Sequence, residues 1–147
     1  MSLSFEEILD REGKLVYKTR GCSMQPMLYQ DRDIVIIEKS KARLKKYDVA
    51  FYKVGEKYIL HRVIHVRNGY YIMRGDNNLF NEKVPDEAVL GVLTAFVQNG
   101  EKRSVTDGDY IAYYKKRVRL YPLRFIYRKT RGFAGKVKRR LLGKSKA

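Results

Sequence analysis

The feature that most constrains this chain is a hairpin signal near its middle. Residues 58–66 are rich in β-branched and aromatic side chains, Asn68-Gly69 follows, and residues 70–73 resume the apolar pattern. Asn-Gly between two such runs is the strongest short-range signal for an antiparallel hairpin, because both turn residues reach positive φ at little cost. The chain is therefore expected to form an antiparallel sheet.

Further strands are predicted on both sides of this hairpin. Short apolar runs occupy residues 15–17, 33–37, 48–52 and 88–97, and turn chemistry at Asn99-Gly100 closes the last of them. Their length and composition are typical of strands. The fold is therefore predicted to be mainly β.

A short helix is predicted ahead of the first strand. Ser4 and Glu7 have the spacing of a capping box, in which each side chain binds the other residue's backbone N–H. The helix is expected to end near Gly13, with Phe5 and Leu9 on one face.

The composition suits one domain that needs no metal or cofactor. The 147 residues are 44% hydrophobic, enough for one core. The single cysteine, Cys22, excludes an internal disulfide and is typical of a reducing compartment. Two histidines and one cysteine make a poor metal motif, and no glycine-rich phosphate loop is present.

Three separated residues supply the chemical types of a nucleophilic site. A serine hydroxyl needs a base to remove its proton, and the base works best when a third group orients it. Ser23, His61 and Asp76 offer these types, and Gly21 favours a tight turn before the serine. Cys22 precedes the serine, and we interpret it as a small apolar residue.

The segments around these residues resemble the signal peptidase and LexA-type serine peptidases. Ser23-Met24-Gln25-Pro26 matches that family's Ser-Met-x-Pro turn, and Gly75-Asp76-Asn77-Asn78 matches its Gly-Asp-x-x box. Bacterial members carry a lysine before an Arg-Val-Ile strand, whereas His61 stands there in this chain, as in the archaeal and endoplasmic-reticulum branch. The likeness runs over roughly residues 14–97 and implies a coiled, barrel-like β-sheet core.

The resemblance also implies roles for individual residues. Ser23 would be the nucleophile, His61 its base and Asp76 the group that orients the imidazole. Glu82 falls where histidine-type members have a second acid, which makes it an auxiliary acid, and the Ser23 backbone N–H would bind the oxyanion. If His61 is not the base, Lys57 is the first lysine to test.

The charge is concentrated at the C-terminal end. All sixteen acidic residues lie at or before Asp109, together with eighteen Lys and Arg, whereas residues 113–147 hold fourteen Lys and Arg and no acid. We accordingly divide the chain into an N-terminal helix (1–13), a catalytic core (14–108) and a basic, aromatic C-terminal extension (109–147).

The extension is expected to contact an anionic membrane surface through residues 113–147. Apolar positions recur there at near-helical spacing among cations, and each cation near anionic lipid adds about 1 kcal/mol. A solvated, disordered tail is the second alternative and a nucleic-acid contact the third. Because neither a spanning helix nor a secretory signal is seen, we expect a cytoplasmic protein, peripheral at the inner membrane face.

The sequence thus predicts a serine endopeptidase that removes a leader or signal segment from a precursor peptide. The substrate would bind extended along a strand edge. Two alternatives stay open. One is an inactive relative that serves as a basic binding module, and the other is a LexA-like self-cleaving protein, for which Ala134-Gly135 is a dipeptide of suitable type.

Overall fold

The computed structural model describes residues 3–143 and contains eight strands and three α-helices in that range. The helices are Phe5–Glu12 (α1), Gly108–Arg119 (α2) and Tyr121–Gly143 (α3). The strands are Lys14–Lys18 (β1), Ile34–Lys39 (β2), Val49–Val54 (β3), Lys57–Arg67 (β4), Tyr70–Arg74 (β5), Glu82–Pro85 (β6), Val89–Gln98 (β7) and Glu101–Ser104 (β8). A 3₁₀ turn, Asp86–Ala88, joins β6 to β7.

The capping box predicted for α1 is confirmed. Ser4 Oγ accepts from the Glu7 backbone N–H at 3.2 Å, and the Glu7 carboxylate accepts from the Ser4 N–H at 2.7 Å. Gly13 ends the helix with φ of 69°, a left-handed conformation that favours glycine. Leu9 is buried beneath the helix, so α1 covers one end of the sheet.

All strand pairs are antiparallel, and together they form one curled, half-barrel sheet. The order across the sheet is β1-β2-β7-β3-β4-β5-β6, with β8 paired to the end of β7. Breaks in register within the β2–β7, β3–β7 and β4–β5 pairs let the strands bend. The predicted mainly β architecture, with a short N-terminal helix, is confirmed.

Strand β3 shows how the sheet buries both faces. Val49 and Phe51 belong to the hydrophobic cluster beneath α1, whereas Ala50 and Tyr52 belong to a second cluster on the opposite face. Successive strand residues point to opposite faces, so a strand buried on both sides is apolar at every position.

Strand β4 changes partners at Arg62. Residues 57–62 pair with β3, whereas β5 pairs with β4 only from Arg62 to Arg67. Strict alternation would place His61 and His65 on the same side, but a bulge between Val63 and His65 interrupts the alternation. His61 is buried and His65 is exposed.

Two helices follow the sheet where the sequence changes to basic and aromatic residues. In α2, Tyr110 is buried, with its ring centroid 5.3 Å from that of Phe96. Helix α3 begins next to Pro122, where proline is tolerated because the first helical N–H groups have no intrahelical partner. Gly132 and Gly135 lie inside α3 and do not end it. The described part of the extension is therefore helical, whereas one of the alternatives expected from the sequence was a disordered tail.

Candidate active site

The Ser23 turn is fastened to the core by the apolar residues that follow it. Met24, Met27 and Leu28 are all buried in the cluster beneath α1, while Ser23 itself is half-buried. The side-chain amide of Gln98 also donates to the Met27 carbonyl at 2.8 Å. The serine is therefore held at the surface of the core on a turn whose neighbours cannot move freely.

Residues on both sides of this turn tie its ends together. Thr19 Oγ1 donates to the Tyr29 carbonyl at 3.0 Å, and the buried Asp33 carboxylate accepts from the Tyr29 N–H at 2.8 Å. The apolar run at residues 33–37 predicted only the start of a strand at Asp33. The structure shows that it stabilises the loop that carries the serine.

His61 lies on β4 with its imidazole buried and held from one side. Nδ1 is 3.0 Å from Tyr52 Oη and 3.2 Å from Glu82 Oε2, and Tyr52 Oη donates to Glu82 Oε2 at 2.5 Å. The hydroxyl proton of Tyr52 is donated to Glu82. The two oxygens next to Nδ1, Tyr52 Oη and Glu82 Oε2, are therefore both available as hydrogen-bond acceptors. This network favours the tautomer that carries its proton on Nδ1, which leaves Nε2 as a proton acceptor.

The electrostatic environment keeps this imidazole neutral. Burial lowers the pKa of His61 below its ordinary value, and the negative charges of Glu82 and Asp76 only partly oppose this effect. A neutral imidazole at neutral pH is the state that a general base requires.

Glu82 was predicted to be an auxiliary acid, and it is the carboxylate that contacts the histidine. It begins β6, opposite Met73 of β5, and its side chain is 31% exposed. The apolar run at residues 48–52 predicted a strand that contains Tyr52, but not the contact of its hydroxyl with His61. A buried tyrosine hydroxyl needs a hydrogen-bond partner, which is the one signal that could have pointed to it.

Asp76, expected to orient the imidazole, forms no hydrogen bond with His61 within residues 3–143, where the imidazole contacts Tyr52, Glu82 and Asn78. The buried Asp76 carboxylate instead accepts from Arg62 Nε at 2.8 Å and Arg62 Nη2 at 2.7 Å, and from the Tyr113 hydroxyl at 3.0 Å. A buried guanidinium requires a carboxylate partner, and Asp76 supplies it. The expectation that Asp76 directly orients the imidazole therefore differs from the structure.

Arg62 is the centre of a buried polar cluster that the sequence analysis missed. Its Nη1 donates to the Tyr47 carbonyl and to the Tyr110 hydroxyl, both at 3.0 Å. The ring centroids of Tyr110 and Tyr114 lie 5.6 and 5.2 Å from its guanidinium carbon. Burial alone would lower the pKa of Arg62, but the charge of Asp76 and its hydrogen bonds raise it, so the group remains a cation. An arginine in the middle of a strand, followed directly by Val63 and Ile64, was the available signal.

The box at residues 75–78 joins the serine turn to the histidine strand. The Asn77 N–H donates to the Ser23 carbonyl at 2.8 Å, and Asn77 Nδ2 donates to the Cys22 carbonyl at 3.1 Å. Asn78 Nδ2 lies 3.5 Å from His61 Nε2. Two of the three boxes found in the sequence are thus directly hydrogen-bonded in the fold.

Gly75 has no room for a side chain. A β-carbon there would lie 2.6 Å from the Ser23 carbonyl oxygen and 3.0 Å from His61 Nε2. These two groups therefore converge on the same point, and the glycine is required by close packing between the serine turn and the base.

Helices α2 and α3 hold the same box from its other side. Arg117 and Arg124 donate to the Asp76 carbonyl at 3.0 and 2.8 Å, and Arg128 donates to the Asn77 carbonyl at 2.6 Å. The C-terminal extension is thus in contact with the residues that pack against Ser23.

Ser23 and His61 line one cleft with a volume of about 860 Å³. Its walls include backbone and side chains from the end of β1 and from the first half of β4. The apolar part of the lining includes Phe5, Tyr17, Met24, Leu28, Tyr58 and Leu60. Lys57 lies on the same wall and is exposed, whereas the exposed thiol of Cys22 is not among the lining groups.

In the described part of the chain, none of the hydrogen bonds of His61 involves Ser23 Oγ. Contacts between a nucleophile and its base are commonly long until a substrate binds.

Within residues 3–143, no group of three or more His, Cys, Asp and Glu side chains is arranged to hold a metal ion. None of the helices described there has both the length and the apolar character needed to cross a bilayer.

Comparison with known proteins identifies the family. No curated protein and no solved structure matches the chain. Residues 3–94 match the model of the family described as Peptidase S24-like, a match that includes Ser23, His61, Asp76 and Glu82 and ends before α2. This match covers more than half of the chain and supports a serine-type peptidase, so the protein belongs to the Peptidase S24-like family.

Proposed function

We propose that this protein is a serine endopeptidase in which Ser23 is the nucleophile, His61 the general base and Glu82 the carboxylate that orients the imidazole. The observation that carries the proposal is that Ser23 and His61 line the same cleft while Nδ1 of His61 is held by Tyr52 and Glu82. The second imidazole nitrogen, Nε2, lies 3.5 Å from Asn78 Nδ2 and would accept the serine proton.

The reaction follows from these assignments. Ser23 Oγ attacks the peptide carbonyl as its proton passes to His61 Nε2, and the charged imidazolium is stabilised by Glu82. His61 then gives this proton to the leaving amine, the C–N bond breaks and an acyl-enzyme forms. Water activated by His61 hydrolyses the ester and restores Ser23.

The oxyanion needs donors placed before the reaction begins. The Ser23 backbone N–H is our candidate, because the turn that carries it is fastened to the core and to Asn77. Gly21 lies two residues before the nucleophile and has no side chain, so it provides no hydroxyl for a second donor.

The sheet offers two backbone edges for an extended substrate. Among residues 3–143, strand β1 pairs with β2 alone, and residues 57–61 of β4 pair with β3 alone. Residues 17–18 at the end of β1 and residues 57–61 of β4 both line the cleft that contains Ser23. A peptide that binds as an added strand would satisfy the unpaired backbone groups, and this supports a linear segment, such as the leader of a precursor peptide, as substrate.

Self-cleavage is a second activity compatible with the family. The dipeptide Ala134-Gly135 lies inside α3. A serine peptidase cleaves an extended segment, so α3 would have to unfold locally before this bond could enter a cleft. The geometry therefore favours cleavage of another chain.

The test is incubation of the purified protein with a serine-directed phosphonate or a penem, followed by mass mapping of the modified residue. Modification of Ser23, abolished by Ser23→Ala and retained in Cys22→Ser, is the expected result. A folded protein that reacts with none of several such reagents and cleaves no peptide in a mixed library would contradict the proposal and favour a non-catalytic binding module. Shorter fragments of the protein, formed when it is incubated without any peptide, would reveal self-cleavage.

A further inference from the structure

Helix α3 turns an apolar stripe away from the body of the protein. The stripe consists of six exposed residues: Leu123, Ile126, Tyr127, Phe133, Val137 and Leu141. Most of these side chains are exposed by about three-fifths or more, for example Leu123 by 65% and Phe133 by 71%. Together with Thr130 and Ala134, they follow the three- and four-residue spacing of one helix face.

The opposite face of α3 contacts the body through polar groups. Arg124 and Arg128 donate to backbone carbonyls of Asp76 and Asn77, and the Tyr121 hydroxyl donates to the Leu79 carbonyl at 2.6 Å. An amphipathic helix on a protein normally buries its apolar side. In α3 only the first turns contact the body, residues 126–142 are exposed, and the apolar stripe is therefore available to a partner.

The charge of α3 indicates what this partner is. The 23 residues from Tyr121 to Gly143 include eight Lys and Arg and no acidic residue. Lys129, Lys136 and Arg140 flank the stripe on one side, and Arg131 and Lys138 flank it on the other, when the residues are placed at 100° intervals around the helix. The surface therefore combines an apolar centre with cationic margins.

Two other occupants fit this pattern less well. A second copy of the chain would bring cations of both helices together along the seam, where like charges repel and no acid of α3 offsets them. A nucleic acid would use the cations and would stack bases on aromatic rings, but the stripe is mainly aliphatic, with one tyrosine and one phenylalanine.

We propose that α3 lies in the interface of an anionic membrane, with its apolar stripe among the acyl chains and its flanking Lys and Arg at the headgroups. A helix with an apolar face and a strongly cationic face binds in this way. Arg124 and Arg128 then have a second role, because they fasten this helix to the box that packs against Ser23. The proposal concerns a binding surface and does not depend on peptidase activity.

The experiment is flotation of the full chain, carrying Ser23→Ala, with vesicles of phosphatidylglycerol and phosphatidylcholine in equal parts. Pure phosphatidylcholine vesicles serve as the comparison. Partition onto the anionic vesicles is expected to be at least about tenfold stronger. It should weaken steeply as salt rises, since exposed charges are screened within ~10 Å at 0.1 M ionic strength.

Matched variants locate the surface. Replacing Leu123, Phe133 and Leu141 together by glutamine should lower partition by at least about tenfold, whereas Val54→Gln on the body should not. A finer pair is Leu141→Gln, on the stripe, against Leu142→Gln, its exposed neighbour on the cationic side. Only the first is expected to weaken partition clearly.

A second pair of variants tests the charge. Lys136→Gln with Lys138→Gln removes two cations from α3, and Lys41→Gln with Lys102→Gln removes two from exposed sites on the body. The first should weaken partition onto anionic vesicles more than the second. Equal effects of the two pairs would overturn the assignment to α3.

Three further results would overturn the proposal. The first is no partition of the folded chain onto anionic vesicles. The second is tighter binding to duplex or single-stranded DNA than to anionic vesicles at the same ionic strength. The third is a stable dimer in light scattering that the triple glutamine variant converts to monomer.

Discussion

The carboxylate of Asp76 and the guanidinium of Arg62 form two hydrogen bonds, of 2.8 and 2.7 Å, in a fully buried site. The Tyr113 hydroxyl adds a third contact to the same carboxylate. Asp76 thus links β4, the box at residues 75–78 and α2. Asp76 therefore has a structural role in this pair, whereas we assign the orientation of the His61 imidazole to Glu82.

The first prediction concerns stability. Asp76→Asn leaves a buried arginine without its counter-charge, which costs about 3–5 kcal/mol in the free energy of unfolding. Urea denaturation will measure this loss. The control is Asp86→Asn, which removes the partner of Arg43 at an exposed site and should cost at most about 1 kcal/mol. Equal losses from the two variants would contradict the structural role of Asp76.

The second prediction concerns Glu82. Glu82→Gln keeps the shape of the side chain but removes the charge that stabilises the imidazolium, so kcat should fall at least about 100-fold on any peptide that the enzyme cleaves. The free energy of unfolding should change little, because the Glu82 side chain is 31% exposed. Tyr52→Phe should have a smaller effect on kcat, since it removes a hydroxyl and leaves the carboxylate. A Glu82→Gln enzyme with wild-type kcat would return the orienting role to Asp76.

The third prediction tests the nucleophile and the base. Ser23→Ala and His61→Ala should each abolish cleavage, and the double variant should be barely slower than either single variant, since the two groups act as one unit. Circular dichroism will check that each variant is folded. The Lys57→Ala enzyme should keep most of the activity. If Lys57→Ala is inactive and His61→Ala is active, the base is Lys57 and the assignment of His61 is wrong.

The fourth prediction concerns pH. The base must be unprotonated, and burial lowers the pKa of His61 below its ordinary value of about 6.5. We therefore expect kcat/KM to rise with pH, with a midpoint below about 6.5, and to be level at neutral pH. The charge of Glu82 raises the pKa of His61, so Glu82→Gln should move the midpoint to still lower pH in the residual activity. A midpoint that moved upward would disprove this coupling.

The fifth prediction concerns Gly75. Alanine there would place its β-carbon 2.6 Å from the Ser23 carbonyl oxygen, so the serine turn must move away from His61. Misplacement of reacting groups by about 1 Å can cost roughly 100-fold in rate, and we expect a loss of kcat of that order. Gly108→Ala is the control, because its β-carbon would meet no atom within 4 Å. Full activity of the Gly75→Ala enzyme would show that the turn and the base are not tightly packed.

Some parts of this protein could be predicted from the sequence because they depend on neighbours along the chain. The capping box between Ser4 and Glu7 joins residues three positions apart, and the turn at Asn68-Gly69 uses a φ of 78° that Gly69 adopts at little cost. The apolar runs predicted the strands for the same reason. The family resemblance then brought Ser23, His61, Asp76 and Glu82 into one candidate site, and the family match includes all four.

The division of roles between the acids was decided only by the tertiary structure. Asp76 and Arg62 are 14 residues apart, Glu82 and His61 are 21 apart, and Tyr113 and Asp76 are 37 apart. No local sequence pattern predicts which buried cation pairs with a given carboxylate. The pairing depends on which charged side chains are buried next to each other when the sheet folds. The same reason applies to α3. Its amphipathic pattern could be read from the sequence, but only the tertiary structure shows that Arg124 and Arg128 fasten the start of the helix to the box while the apolar stripe stays exposed.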